Sequence, residues 1–201
     1  YVQVDLNSLL YGFENNMAYF AEILGRENSW KERAEKRLEA MNKYMLTDDG
    51  IFLDYNFAKN TKSSVFSAAS YFPLYAGAAT KEQARALADK LGLLEEKYGV
   101  CTCEKQNDGI DYQWGYPNGW ACLQFIVIKG FLNYGYDDIA KRIAKKYVDL
   151  AEKVFDETGN LWEKYNVVDG NINVKNEYEM PPMLGWSAGV YIYSKNLLKR
   201  K

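Results

Sequence analysis

The segment Asp111-Tyr-Gln-Trp-Gly-Tyr-Pro-Asn-Gly-Trp120 combines four aromatic residues with two glycines, a proline and two amides. Gly115, Pro117 and Gly119 lie too close together for a helix, and a simple linker would not carry so many rings. We therefore predict a structured loop whose aromatic and amide side chains reach one place. Such a loop is typical of a carbohydrate site, where rings stack on sugar faces and polar groups bind hydroxyls.

Helical patterns extend outward from this loop in both directions. Downstream, one helix is predicted from near Pro117, a residue favoured in a first turn, to about Tyr134. A second helix follows from Asp137 or Asp138 to about Asp156. The other predicted elements are a short strand at 51–57 and helices from Asp5 to Leu24, from Asn28 or Ser29 to Leu46, from Ser64 to Gly77, from Thr80 to about Tyr98, and from after Pro182 to about Leu198.

Mostly apolar helices alternate with amphipathic ones along the chain. The apolar helices at 64–77 and 117–134 are each followed by a helix with one charged face. This rhythm predicts an all-α fold with inner and outer helices, and about seven helices amount to roughly half of an (α/α)6 toroid. The two longest loops, 99–116 and 158–176, both follow outer helices, so we expect them at the same end of the ring, with the functional site.

The composition excludes several classes of function. Charged residues make up 26% of the chain and the net charge is -2, without the one-signed surface of a nucleic-acid binder. No apolar stretch is long enough to span a membrane. Histidine is absent, which excludes Ser–His triads, Cys–His pairs and histidine-bound metals. Proton transfer must therefore fall to carboxylates, tyrosine, lysine or cysteine.

The chain has three cysteines, Cys101, Cys103 and Cys122. Their odd number argues against a secreted disulfide framework and favours a cytoplasmic location. The close spacing of Cys101 and Cys103 does not suit a zinc site, so we expect free thiols, with no metal and no cofactor.

A candidate catalytic carboxylate lies downstream of the aromatic loop. Glu163 stands between Trp162 and Tyr165, and a carboxylate beside rings loses solvation, which suits it to proton transfer. The alternative is a surface ion pair with Lys164 or Lys153.

A second pair of carboxylates precedes the last helix. Glu177 and Glu179 are two residues apart, so in an extended segment they share one face, where we expect one to bind a sugar hydroxyl and the other to pair with a cation. The alternative is a strand edge with solvated glutamates. The predicted sugar contacts of the whole site are Gln113, Trp114, Tyr116, Asn118, Trp120, Glu177 and Trp186.

Four segments of the chain are similar, in order and spacing, to those of one known family. Residues 113–121 (QWGYPNGWA) resemble the signature QWDYPNGWAP of the family 37 trehalases. Residues 4–7 (VDLN), 163–165 (EKY) and 177–178 (EY) with 185–190 (GWSAGV) are similar to that family's PVDLN, EKY and GEY…GFGWTNGV segments.

The resemblance implies a fold, an activity and residue roles. It implies an (α/α)6 toroid, with residues 1–201 as a single C-terminal portion of its catalytic domain, and an inverting glycoside hydrolase that acts on trehalose or a related small α-glycoside. The general base of the family corresponds to Glu163. By the same resemblance, Glu177 contacts the substrate, and Gln113, Trp114 and Asn118 line the pocket.

The chain departs from the family pattern at two signature positions and in two loops. Gly115 replaces an aspartate and Cys122 replaces a proline. Residues 171–176 replace a glycine-rich stretch, and residues 181–184 replace a QEGF segment. These changes reshape the wall of the pocket and its lid.

The family's general acid is an aspartate that precedes the PVDLN segment, so we expect the acid upstream of this chain. A half ring would also leave a large apolar edge, unless the chain folds as a smaller bundle. The expected partners are therefore a small carbohydrate and either the N-terminal half of the same polypeptide or a second copy of the chain. The alternative function is a non-catalytic sugar-binding or structural fragment.

Overall fold

The computed structural model describes residues 1–106, 112–182 and 185–200, so Asp111 of the aromatic loop and residues 183–184 lie outside it. Seven α-helices supply most of the regular structure in these ranges. The helices are α1 (Val4–Ile23), α2 (Trp30–Tyr44), α3 (Phe72–Ala76), α4 (Lys81–Lys90), α5 (Ala121–Asn133), α6 (Asp137–Thr158) and α7 (Gly185–Leu198).

Short strands are confined to the connections between the helices. They are β1 (Tyr55–Asn56), β2 (Thr61–Lys62), β3 (Glu95–Glu96), β4 (Gly99–Val100), β5 (Asn118–Trp120) and β6 (Lys164–Asn166). β1 pairs with β2, β3 with β4 and β5 with β6, each time antiparallel. The predicted strand at 51–57 is thus reduced to β1 and an isolated bridge between Phe52 and Leu46.

The odd-numbered helices follow one another in a row. α3 packs against α1 and α5, and α5 packs against α7. α2 packs on α1, while α6 packs on α5 and α7 from outside the row. α5 is buried on most sides because its sequence is mostly apolar, whereas α6 buries one face and exposes its charges. The predicted alternation of inner and outer helices is confirmed.

The predicted helix at 64–77 is wrong in length. Residues Ala68–Tyr71 form a 3₁₀ turn, and α3 follows as a helix of five residues. Pro73 lies in the first turn of α3, where its missing N–H costs no helical hydrogen bond. Proline therefore marks the start of a short helix and does not kink a longer one. Gly77, with a φ of 72°, ends it.

The helix predicted from Thr80 begins as expected but ends early. The Thr80 hydroxyl accepts a hydrogen bond from the Gln83 N–H (3.2 Å), and the Gln83 side chain accepts one from the Thr80 N–H (2.7 Å). α4 ends at Lys90 because Leu91–Leu93 forms a 3₁₀ turn and the chain then reverses in the β3–β4 hairpin. Gly92, at the centre of that turn, disfavours continuation of the helix.

The helix start predicted near Pro117 is also wrong, because the next residues form β5. This strand pairs with β6, so α5 begins only at Ala121. A Cβ atom on Gly119 would lie 2.4 Å from Cγ1 of Val167, so only glycine fits this close approach. The pairing brings the two longest loops together, which confirms that they lie at the same end of the fold.

Two apolar cores support this end. The first lies around Tyr71 and Phe131, between α3, α4 and α5, and the second lies around Tyr165 of β6. Gln124 of α5 ties β4 to the helix row, since its side chain donates to the Val100 carbonyl (2.7 Å) and accepts from the Val100 N–H (2.9 Å). These buried backbone groups are thereby satisfied without a longer sheet.

Both terminal helices of the row expose apolar side chains. On α1, Leu6, Leu9, Phe13 and Phe20 are 44–54% exposed, and on α7 Ile192 is 59% exposed. The apolar edge expected of a half ring is therefore present. Each helix of the described residues is too short or too polar to cross a lipid bilayer.

Candidate active site

Three tryptophans from separate segments meet beside the β5–β6 pair. Trp114 stacks on Trp120, with ring centroids 3.7 Å apart and planes 1° from parallel, and Trp186 meets Trp120 edge-on at 5.8 Å. Trp120 is buried, and its indole N–H donates to the Gln113 carbonyl (3.1 Å). Trp114 is 46% exposed and Trp186 is 37% exposed. The two outer rings can therefore meet a ligand, while Trp120 fixes them in place.

Glu163 lies next to these rings because β6 sets Lys164 opposite Trp120. The Lys164 ammonium is 4.6 Å from the centroid of Trp120 and 4.8 Å from that of Tyr178. It donates to Glu163 Oε2 at 2.7 Å. The Tyr178 hydroxyl donates to Oε1 of Glu163 at 2.7 Å and to Oε2 at 2.8 Å. We call Glu163, Lys164 and Tyr178 the Glu163 cluster.

The ion pair of this cluster is buried. The side chains of Glu163 and Lys164 are 8% and 0% exposed, whereas Tyr178 is 46% exposed. The alternative interpretation, a surface ion pair, is therefore correct about the partner Lys164 and wrong about the surface. Lys153 instead donates to the Gly170 carbonyl (2.7 Å).

Two neutral groups face Glu163. The hydrogen bond to Glu163 raises the pKa of the Tyr178 hydroxyl to about 12, since losing that proton would set two negative charges together. Burial raises the pKa of the Cys122 thiol to about 11, and the charge of Glu163 adds to this shift. Both groups are therefore protonated at neutral pH, and Cys122 is not a thiolate nucleophile.

Asn118 joins the two loops of the site. Its side chain is fully buried and donates to the carbonyls of Gln113 (2.9 Å) and Lys175 (2.8 Å). The side-chain oxygen of Asn118, Oδ1, accepts a hydrogen bond from the Lys175 backbone N–H (3.1 Å). Both amide hydrogens are thus used in holding the loops. The predicted sugar contact of Asn118 stays a prediction, and the hydrogen bonds of its side chain join Gln113 to Lys175.

Gln113 and Glu177 meet across the same two loops. The Gln113 side-chain amide donates to Glu177 Oε2 at 3.3 Å, and the Gln113 backbone N–H donates to Oε1 at 3.5 Å. Oε1 of Gln113 is buried and has no hydrogen-bond partner among the described residues. A buried acceptor of this kind is normally satisfied by a ligand or water. Glu177 and Glu179 are both exposed.

A cavity of about 620 Å³ lies beside the exposed tryptophan. Trp114, Gly115 and Asp5 line it, so the position where the resembling family has aspartate forms part of its wall. Within the described parts of the chain, Glu163 does not belong to this lining. Tyr116 packs against the core under β5 and β6.

Residues 1–199 match the family model described as Trehalase. This chain belongs to the trehalase family. A probable trehalase of Saccharomyces cerevisiae is 38% identical over 189 residues, which cover 83% of this chain and 24% of that protein. The periplasmic trehalase of Pseudomonas aeruginosa is 34% identical over 194 residues, which cover 94% of this chain and 35% of that protein. The chain thus spans only a quarter to a third of these curated relatives.

Solved structures agree with the trehalase family fold. The neutral trehalase of Saccharomyces cerevisiae superposes with a TM-score of 0.83 at 33% identity, covering 97% of this chain and 38% of that one. A GH63 mannosylglycerate hydrolase from Thermus thermophilus reaches a TM-score of 0.78 at 18% identity, covering 96% and 46%, which shows a likeness of fold alone. The resemblance drawn from the sequence and the all-α half-toroid fold class are both confirmed. The cytoplasmic location stays a prediction, because one relative is periplasmic.

Sequence reasoning about this trehalase-family chain missed how Glu163 is held. The sequence alone predicts Lys164 as a surface cation and Tyr178 as part of a motif. The available signal was strand alternation, because Lys164 and an aromatic residue of β5 must share a face once the strands pair. The sequence likewise assigns no role to Ser187. Its hydroxyl donates to the Trp162 carbonyl (2.6 Å) and so holds α7 against the residue that precedes Glu163.

Proposed function

We propose that this trehalase-family chain is the C-terminal part of the catalytic domain of an inverting glycoside hydrolase, with Glu163 as its general base. The observation that carries the proposal is the buried Glu163 carboxylate, held beside Trp120 where the two long loops meet. Trehalose or a related small α-glycoside is the proposed substrate. The relatives at 33–38% identity, which are described as trehalases, support this substrate class.

The reaction needs Glu163 and one further acid. Glu163 accepts a proton from water as the water oxygen bonds to the anomeric carbon. The glycosidic bond breaks at the same carbon, and its electron pair leaves with the departing oxygen, which takes a proton from a second carboxylic acid. Inversion requires the two carboxyl groups to be roughly 6.5–9.5 Å apart, so that a water fits between base and sugar. We assign this acid to polypeptide that precedes the chain.

The sugar contacts divide into two groups by exposure. Trp114 and Trp186 expose ring surface, Glu177 is exposed, and Gln113 has a buried oxygen that no described residue satisfies. We assign these four residues to direct contact with the sugar. We assign a second group to shaping the site from behind: Asn118 and Trp120 donate hydrogen bonds within the protein, and Tyr116 packs against the core.

The apolar edge of α1 gives the missing part of the ring a surface to pack on. Leu6, Leu9, Phe13 and Phe20 are half-exposed along one helix. We assign this surface to the remainder of the same polypeptide, because the relatives are three to four times longer than the matched region. A second copy of the chain is the alternative occupant. Sedimentation of the isolated chain as a dimer would favour that alternative.

The experiment that tests the function replaces Glu163 with Gln in the complete polypeptide. The amide keeps the size of the side chain but cannot accept the proton, so kcat for trehalose or the best α-glycoside should fall by about 10²–10⁴. Binding of the sugar, measured by calorimetry, should change little. Glu152→Gln, a matched change at an exposed glutamate of α6, should keep full activity.

Two outcomes would contradict the assignment. Undiminished hydrolysis by Glu163→Gln would exclude Glu163 as the general base. Hydrolysis of trehalose with inversion at the attacked carbon releases one β-glucose and one α-glucose, so first-formed glucose that is entirely α, detected by NMR, would exclude an inverting mechanism even if Glu163 proved essential.

A non-catalytic sugar-binding role is the second candidate, and Gly115 is the observation that favours it. Gly115 lines the cavity at a position where the family signature has a carboxylate. Calorimetric sugar binding by the complete polypeptide without hydrolysis of any α-glycoside would support this role over the first.

A further inference from the structure

The two carboxylate oxygens of Glu163 have unequal surroundings. Oε2 accepts hydrogen bonds from the Lys164 ammonium (2.7 Å) and the Tyr178 hydroxyl (2.8 Å). Among the described residues, Oε1 accepts a hydrogen bond only from the Tyr178 hydroxyl (2.7 Å), which it shares with Oε2. Because each carboxylate oxygen offers two lone pairs, the contacts from the described part of the chain fill Oε2 and leave one position open on Oε1.

Lys164 cannot easily leave Oε2. Its side chain is completely buried between the rings of Trp120 and Tyr178, and its backbone is part of the β5–β6 pair. A buried ammonium is stable only while it keeps its charged partner and the rings around it. The contact to Oε2 is therefore a fixed feature of the site.

Unlike the buried Lys164 side chain, the Tyr178 side chain has room to move. Its ring is 46% exposed, and its single hydroxyl proton is shared between the two oxygens. The phenol can shift toward Oε2 without breaking its link to the carboxylate. Its own oxygen can then accept a hydrogen bond from a water held at Oε1.

We propose that Lys164 and Tyr178 are positioning residues that hold Glu163 through Oε2, so that Oε1 is the oxygen that receives the proton. The inference rests on the proposed function of Glu163. One O–H bond of the water breaks as its oxygen bonds to the anomeric carbon, and the proton moves to Oε1. The departing sugar oxygen is protonated by the second carboxylic acid, so charges and atoms balance.

The test compares two variants with two matched controls in the complete polypeptide. Lys164→Met and Tyr178→Phe each remove one contact to the base. Lys195→Met and Tyr191→Phe remove the same chemical contacts from Glu152, a partly exposed carboxylate outside the site. Activity is measured as kcat and KM separately, with circular dichroism to check folding.

Both positioning variants should lower kcat by about tenfold to a hundredfold, because a misoriented base loses its alignment with the water. KM should change little. Both controls should match the parent protein.

The outcomes separate this inference from the function it rests on. Full activity of Glu163→Gln would overturn the proposed function. An inactive Glu163→Gln together with unchanged or faster turnover by Tyr178→Phe would overturn only the positioning role. Tyr178 is half-exposed, so Tyr178→Phe should fold and decides the matter even if Lys164→Met does not fold.

Discussion

Two carboxylates of this trehalase-family chain each bind one tyrosine hydroxyl and one lysine ammonium, in opposite surroundings. The first set is the Glu163 cluster. The second, which we call the Glu152 cluster, consists of Glu152, Tyr191 and Lys195. In it, both donors lie 2.8 Å from the same oxygen, Oε1 of Glu152. The ion-paired side chains are 8% and 0% exposed in the Glu163 cluster but 44% and 40% exposed in the Glu152 cluster.

The difference shows that a Glu–Tyr–Lys arrangement alone does not identify a site. In the Glu152 cluster, hydrogen bonds from Lys195 and then Tyr191 lower the pKa of Glu152, but all three residues are only partly buried, so solvent screens their charges. A cavity of about 430 Å³ even lies beside it. Only the Glu163 cluster combines burial, aromatic neighbours and the meeting of two long loops. These features, and not the residue types, carry the functional proposal.

The largest expected difference between the clusters concerns stability. Glu163→Ala should lower the free energy of unfolding by about 3–5 kcal/mol, because it leaves the Lys164 ammonium buried without its charged partner. Glu152→Ala should cost less than about 1 kcal/mol, since its ion pair is exposed and screened. Urea denaturation of both variants measures the two losses side by side.

Equal losses in the two variants would show that burial does not distinguish the clusters. Glu163→Gln serves as a further control, because it removes the charge while keeping an oxygen for the Lys164 and Tyr178 hydrogen bonds. Its loss should lie between those of the two alanine variants.

A smaller effect is expected on sugar binding. Trp114→Ala removes the exposed ring that stacks on Trp120 and should weaken binding of the sugar by about 0.5–1.5 kcal/mol, or up to about tenfold in Kd. Phe155→Ala removes a 50% exposed ring from the cavity beside Glu152 and should leave the affinity unchanged. Isothermal titration calorimetry gives both values. A larger loss in Phe155→Ala would move the sugar site to the Glu152 cluster.

Local signals in the sequence predicted most of the helices. The capping pair of Thr80 and Gln83, the helix-ending Gly25 and Gly159, and the apolar periodicity all act within a few residues. The alternation of inner and outer helices follows from the same periodicity. The errors came where distant segments pair. Pro117 is a good helix start by local rules, but the residues that follow it form β5 and pair with β6.

The candidate site was predictable in its parts and not in its assembly. The aromatic and amide content of residues 112–120 and the setting of Glu163 between rings are visible in the sequence. The burial of Lys164 is not visible, because a lysine in a charged stretch normally lies in water. Only the pairing of β5 with β6 puts it over the Trp120 ring. Likewise, no neighbouring residue in the sequence indicates that the Asn118 side-chain amide donates both of its hydrogens to backbone carbonyls.

The smallest expected effect distinguishes the two tyrosines at high pH. The hydrogen bond to Glu163 raises the pKa of Tyr178 to about 12, while the bond to Glu152 raises that of Tyr191. Because the folded-state pKa of Tyr178 lies above the unfolded value of about 10, its hydrogen bond stabilises the fold fully below pH 10. That contribution is lost as the pH rises from about 10 to about 12.

Phenolate absorbance can follow this ionisation. Subtracting the titration of Tyr178→Phe from that of the parent protein isolates a single hydroxyl, which should ionise near pH 12. Adding Glu163→Gln to both proteins should bring the isolated hydroxyl back toward pH 10, because the amide no longer places a negative charge beside it. A Tyr178 hydroxyl that ionises near pH 10 with Glu163 in place would mean that the two groups are not bonded in solution. The Glu163 cluster would then lose its second contact and become an ion pair alone.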